Sequence, residues 1–207
     1  MVIDGARMAV SGIGPERAAA AAQKLLEAGA DRLLSWGVAG GLAPPLGAGD
    51  LVVPERIVTP RGDRPVDATQ AAAVAAALSD DEPIHREPLY STDELVRTAA
   101  RCQQLVQQTG AVAVDMEAGA VAASAAAAGV PFVAVKAICD PADFDMPPAA
   151  QDWMTPAGRL RPTRLLLAMA RRPTMRHDLQ RLRRDFTVAR RRLATAAPAA
   201  LAAMSAP

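Results

Sequence analysis

Aromatic side chains are scarce in this 207-residue chain: three Phe, two Trp and one Tyr, 3% of the whole. Large rings cannot build the core, so Ala and Val must carry it, with helices and strands packed closely. The two cysteines, Cys102 and Cys139, suggest no disulfide framework and suit a reducing compartment. The two histidines, His85 and His177, lie far apart, and no metal-ligand spacing or Ser-His-Asp pattern is present. Structural roles are expected for both, and no metal. No charged segment followed by an apolar one opens the chain, and no apolar run reaches the roughly 18–20 residues that span a bilayer. The expectation is a soluble, cytoplasmic protein. A net charge of +1 gives no general attraction to nucleic acid, which is not expected as a partner. Charge is uneven, however: 12 of the 21 arginines fall between Arg159 and Arg192.

What is present is an alternation of short apolar runs and helical stretches. About half of the residues are hydrophobic, enough for one domain with a real core. Strands are expected at Met8–Val10, Arg32–Trp36, Leu51–Val58 (weakened by Pro54), Ile84–Ser91, Ala111–Val114 and Pro131–Cys139. Helices are expected from Pro15 to about Ala28, over 69–78, from a Thr92 or Asp93 cap to Gln108, and over Glu117–Ala128. The nearly unbroken apolar run before Cys139 suits a strand buried on both faces. The pattern predicts a single α/β domain with a mixed, largely parallel central sheet and ligands at the carboxyl ends of its strands. That domain is assigned to residues 1–154. Residues 155–195 read as basic amphipathic helices, in which Met175, Leu179, Leu182, Phe186, Ala189 and Leu193 form one apolar stripe. A short helix over Leu165–Ala170 stops at Pro173. Residues 196–207, rich in Ala and Pro, read as a flexible tail.

Three unusual peptides sit at predicted strand ends. Gly37-Val38-Ala39-Gly40-Gly41 is either a flexible loop or a place where a flat ring lies against the main chain. Asp115-Met116-Glu117 puts two carboxylates at a strand–helix junction, where capping explains one of them. A carboxylate bridging vicinal hydroxyls, with Met on a sugar, explains all three residues. Asp140-Pro141-Ala142-Asp143 is turn chemistry or, at the end of a buried strand, a carboxyl able to keep a proton. Gly12-Ile13-Gly14 lacks the third glycine of a dinucleotide loop, since Arg17 stands there, and reads as a tight turn.

From about Met8 to Asp143 these motifs resemble the nucleoside phosphorylase and methylthioadenosine/adenosylhomocysteine nucleosidase superfamily. Ser11–Gly14, Gly37–Leu42, Gly49–Val53, Asp115–Ala118 and Ile138–Asp140 appear in the family's order and spacing. The resemblance implies cleavage of the N-glycosidic bond of a purine nucleoside, with no cofactor and phosphate as a candidate co-substrate. It implies Asp140 as the general acid at N7 of the leaving base. Glu117 and Asp115 belong to the sugar-binding triplet, Glu117 holding the ribose hydroxyls and Met116 packing on the sugar. Ala39 and Gly40 lie beside the purine, with Val38 a substrate-binding position in the same glycine loop, Leu95 and Val96 near the ring, and Ile13 near the 5′ substituent.

The match departs from the family in two ways. The opening strand and hairpin that precede the Ser-Gly-Ile-Gly loop have no counterpart, nor does the water-activating glutamate of hydrolytic members. The phosphate-holding serine of phosphorolytic members is replaced by Val38. Within the superfamily the motifs are most similar to hopanoid-associated phosphorylases, which implies adenosylhopane as substrate, with methylthioadenosine or adenosylhomocysteine, or nucleoside binding without turnover, as alternatives. The resemblance also implies a homo-oligomer. A lipid-linked nucleoside would give residues 159–193 a purpose as a peripheral contact on the inner membrane surface, because arginines attract anionic headgroups. The alternative is that this segment packs its apolar stripe on the domain or on a partner subunit, and the two are compatible.

Overall fold

The computed structural model describes residues 2–3, 6–44, 46–79, 84–96, 98–140 and 175–205. In chain order the elements are β1 (Val2–Ile3), β2 (Ala6–Arg7), α1 (Pro15–Glu27), β3 (Leu33–Gly41), β4 (Leu51–Val52), β5 (Arg56–Val58) and β6 (Arg64–Pro65). There follow α2 (Ala68–Leu78), β7 (Leu89–Ser91), α3 (Ala99–Thr109), β8 (Ala113–Asp115), α4 (Ala118–Ala128), β9 (Phe132–Asp140) and α5 (Met175–Ser205). Seven strands form one sheet in the order β4-β9-β3-β8-β7-β5-β6, and β1 pairs with β2 apart from it. The sheet is mixed. Its long central pair, β3 with β9, is parallel, as are β5–β7 and β7–β8, while β8 runs antiparallel to β3.

Alanine does the packing work that the missing aromatics would otherwise do. On one face, Ala18 and Ala22 of α1 and Ala118, Ala122 and Ala125 of α4 are buried, and most of them cluster with Leu33, Ala134 and Ile138. On the other face, α2 and α5 cover Val133, Val135 and Ala137. Local sequence fixes the helix ends. The Asp67 side chain accepts from Gln70 N at 2.8 Å, and Gly110 ends α3 in the left-handed conformation with φ 68°.

Several sequence expectations are corrected. Met8–Val10 is not a strand: β9 and β8 occupy both sides of β3, and Val10 is 86% exposed. The Ile84–Ser91 strand shrinks to β7, because Pro88 has no N–H for the ladder, and His85 makes only a single bridge to Val52. Helix α3 begins at Ala99, capped by Thr98. Thr92 is already used: its N–H continues the ladder to the Asp115 carbonyl, and its hydroxyl accepts from Glu94 N. The glycine run Gly37–Gly41 is strand, not loop.

The largest correction concerns the C-terminus. The stretch from residue 196, expected to be a flexible tail, is helix through Ser205, and Ala196, Ala200 and Met204 are buried. Tertiary packing there overrides the roughly 3 kcal/mol propensity penalty of an interior proline, Pro198. The inward face of α5 reads Asp185, Ala189, Leu193, Ala196, Ala200 and Met204, so the expected stripe holds at Ala189 and Leu193. Phe186 is 43% exposed, and Asp185 takes the inward position beside it. The side chains of Met175, Leu179 and His177, and the Leu165–Ala170 and Arg159–Arg172 readings, lie outside the described residues. Leu193→Ala is expected to lower stability by about 2–5 kcal/mol, and the thermal midpoint by roughly 2–4 °C for each of these. An unchanged midpoint in a thermal melt would mean that α5 is not part of the cooperative unit.

Candidate active site

The peptides singled out by sequence converge on the carboxyl ends of β3, β8 and β9. Gly40 pairs with Asp140 on one side and Val114 on the other, one residue before Asp115. The β3–β9 register slips between Ala39 and Gly40, so that Cys139 and Asp140 together face a single step of β3. Bulges of this kind re-aim a side chain at the end of a ladder. Here the Asp140 carboxylate lies on the main chain of Gly40: a Cβ built on that glycine would stand 3.2 Å from Oδ2 and 3.3 Å from Oδ1. Glycine at this position thus leaves the carboxyl room that a Cβ would narrow by a few tenths of an ångström.

Burial pushes the Asp140 carboxyl above the ordinary carboxylate range. The Cys139 thiol donates to its Oδ1 at 3.0 Å, which pulls the other way, and the buried Asp185 of α5 adds a further upward push. The thiol is itself held protonated, by burial first and then by the Asp140 carboxylate, so it acts as a donor and not as a nucleophile. Asp185 is bridged by Arg181 at 3.7 Å and Arg184 at 3.5 Å.

Glu117 sits at the N-cap position of α4. Its Oε1 accepts from Gly14 N at 2.8 Å, across 103 residues, and its Oε2 accepts from Met116 N at 3.3 Å. Gly12 and Gly14 have φ of 83° and 103°, which explains the Gly-x-Gly turn: it aims the Gly14 amide at a carboxylate of this chain. Burial raises the Glu117 carboxyl most, and the Gly14 amide opposes it. The Asp115 charge adds to the rise and Lys136 reduces it. The half-buried Ile13 belongs to the same turn.

Other expected residues are placed differently. The Asp115 side chain is 0% exposed and turned inward, its Oδ2 2.8 Å from Lys136 Nζ and accepting from Ala118 N at 2.9 Å. Ala39 is buried in the core face toward α1 and α4, whereas Val38 packs on the opposite face. Leu95 and Val96 are half-buried after β7, and Val96 packs against the small core of Tyr90, Cys102 and Leu105. His85 lies between Asp50 and Glu87, 3.8 Å from each. Sequence reading missed Lys136, the Cys139 thiol and the Gly14 amide. The first had a signal: a lone lysine inside an otherwise apolar strand. Among the described residues no cluster of His, Cys, Asp and Glu could hold a metal ion, and no helix is long and apolar enough to cross a membrane.

A family model described as "Phosphorylase superfamily" matches residues 5–171. The chain is 31% identical over 165 residues to a 5′-methylthioadenosine/S-adenosylhomocysteine nucleosidase of Anoxybacillus flavithermus, covering 67% of this chain and 69% of that one. Among solved structures, it is similar to the Neisseria meningitidis enzyme of that name in complex with methylthio-immucillin-A, with 28% identity and a TM-score of 0.62. That match covers 69% of this chain and 71% of the other. A mutant of the Helicobacter pylori enzyme with 5′-methylthioadenosine in its active site matches at 25% identity and a TM-score of 0.60, over 64% of this chain and 66% of its own. The chain thus spans about two thirds of the length of these relatives. With the family's motifs gathered at the strand ends of its fold, the chain belongs to the phosphorylase superfamily, as an N-glycosidic-bond-cleaving enzyme of the nucleoside phosphorylase and methylthioadenosine/adenosylhomocysteine nucleosidase group.

Proposed function

We propose that the chain is a purine nucleosidase that releases adenine from a 5′-substituted adenosine, with Asp140 giving a proton to N7 of the leaving base. The observation that carries this reading is the Asp140 carboxylate, laid on the Gly40 main chain in surroundings that favour its protonated form. Breaking the glycosidic bond leaves electron density on the purine and positive charge on the sugar. A proton at N7 neutralises the first, and a carboxylate near the sugar suits the second. Glu117 takes the ribose hydroxyls and Met116 packs on the sugar. The purine lies along Val38, Ala39 and Gly40, with Leu95 and Val96 at its edge. The attacking group is water or phosphate.

The proposed substrate is adenosylhopane, a purine nucleoside on a polycyclic lipid. Two surfaces support a large apolar 5′ substituent. Met8 and Val10 are 40% and 86% exposed just before the turn that carries Ile13. On α5, Arg183, Arg184, Arg190 and Arg191 are exposed together with Phe186 and Val188, a combination suited to an anionic membrane surface. Purified protein incubated with adenosylhopane, methylthioadenosine or adenosylhomocysteine, with and without phosphate, is expected to release adenine fastest from the lipid nucleoside. Phosphate dependence identifies the attacking group. Faster turnover of the small soluble nucleosides points to the relatives' substrates instead, and no adenine from any of them, with folding intact, removes the reading. Sedimentation with anionic vesicles, weakened by salt, tests the membrane contact.

A further inference from the structure

One buried ion pair beside the sugar carboxylate has no part in the chemistry above. Lys136 of β9 is 2% exposed in a strand otherwise made of Phe, Val, Ala and Ile up to Ile138. Its Nζ lies 2.8 Å from Asp115 Oδ2 and donates to Ser35 Oγ at 3.0 Å, with side-chain exposures of 3% for the lysine and 0% for the aspartate. We propose that Lys136 is a positioning residue, whose ion pair with Asp115 fixes the strand–helix turn from which Glu117 presents its carboxylate to the substrate sugar. This inference rests on the reading that Glu117 holds the ribose.

The geometry is that of a clamp. Asp115 Oδ2 receives the ammonium of β9 and also the N–H of Ala118, the first residue of α4. Glu117 lies in the chain between Asp115 and Ala118, the two ends of that hydrogen-bonded turn. Its own carboxylate is tied forward to Gly14 N and back to Met116 N, so both the backbone and the side chain of the turn are held. Lys136 pairs with Gly37 in β3, where an added Cβ would stand 3.8 Å from Nζ. The ammonium is thus bounded by small groups, while Asp115 Oδ1 is buried and has no hydrogen-bond partner among the described residues. A buried ion pair is weak evidence of a stabilising role, since apolar residues of similar volume often serve as well.

The charges act on Glu117 with opposite sign. Asp115 disfavours its ionised form and Lys136 favours it. With both present the two influences oppose one another at Glu117. Removing one partner leaves the other uncompensated, which gives the charge effect on Glu117 a sign. A rise in KM with a smaller change in kcat, rescued by Lys136→Arg, reports the positioning that a purely structural pair would not supply.

The experiment follows the Glu117 side-chain carboxyl by carbon-13 NMR through a pH titration of the ligand-free full chain, with the signal assigned by its loss in Glu117→Gln. Kinetics with methylthioadenosine run alongside. Lys136→Met is expected to move the Glu117 midpoint up, Asp115→Asn to move it down, and Lys136→Arg to leave it near that of the parent. The acid limb of kcat/KM is expected to move upward with the first variant, and KM to rise roughly tenfold with a smaller change in kcat. If Lys136→Met does not fold, Asp115→Asn and the Lys136→Met/Asp115→Asn double variant carry the sign test, the double variant returning toward the parent midpoint. Midpoints that stay fixed, or that move in the same direction in both single variants, overturn the proposal. If the midpoints move as expected but no nucleoside is turned over, the sugar-site reading fails, and what stands is the coupling of the ion pair to the Glu117 turn without a role in substrate binding.

Discussion

Asp140→Asn is expected to cut adenine release by about two to four orders of magnitude, the usual worth of a general acid, while leaving the chain folded. Asparagine keeps the shape on Gly40 but has no proton to lose to N7. The pH dependence follows from the raised carboxyl. Activity needs the protonated acid, so the alkaline limb of the profile falls as pH rises through the Asp140 midpoint, which lies above the ordinary carboxylate value of 3.8, while the acid limb belongs to Glu117. The same shift has a stability sign. A carboxyl with a raised folded-state pKa contributes stability that is fully present below its unfolded value and lost as pH rises through the folded one. Asn cannot ionise and escapes that loss, so the variant is expected to melt higher than the parent at neutral pH and to match it in acid. A kcat profile measured on both sides of neutrality, with melts at the same pH values, checks both halves. Residual activity within a few-fold of the parent would remove Asp140 as proton donor.

The parts of this site legible in the sequence are those with a local signature. Glycines needing positive φ at 12 and 14, a strand ending in Asp140 and an acidic triplet before a helix could all be read from neighbouring residues. What escaped was set by contacts between distant segments. Nothing near residue 139 announces the register slip that turns Asp140 onto Gly40, because a bulge is a property of two strands. Asp115 and Glu117 look equivalent in sequence, yet Lys136 draws one inward and Gly14 holds the other. The same limit explains the C-terminal helix. Composition around Pro198 argues against helix, and only the buried face of Ala196, Ala200 and Met204 against the sheet reverses that preference. Periodicity found the helix and its inward face at Ala189 and Leu193 but missed it at Phe186, because it assumed that a ring and not a paired aspartate would face the core.

Gly40→Val is expected to lower kcat/KM by roughly a hundredfold or more, the scale on which misplacing a catalytic group by about 1 Å is felt. The substitution tests space and not backbone freedom, since Gly40 lies within strand β3 and is not among the positive-φ glycines. A Cβ at this position already stands 3.2–3.4 Å from three atoms of the Asp140 carboxyl. Alanine therefore displaces that group by a few tenths of an ångström. Valine adds two methyls in the slot where the carboxyl and the purine must meet, and drives Asp140 toward the Cys139 side of the bulge. The two variants should form a graded series, Ala mildly impaired and Val severely, with far smaller differences in melting temperature than in rate. The loss should fall mainly on kcat, because proton transfer needs the donor in line with N7 while the sugar stays held by Glu117. Parent-like turnover in the valine variant would mean that the carboxyl acts from some other position, and that its close approach to Gly40 is packing without catalytic consequence.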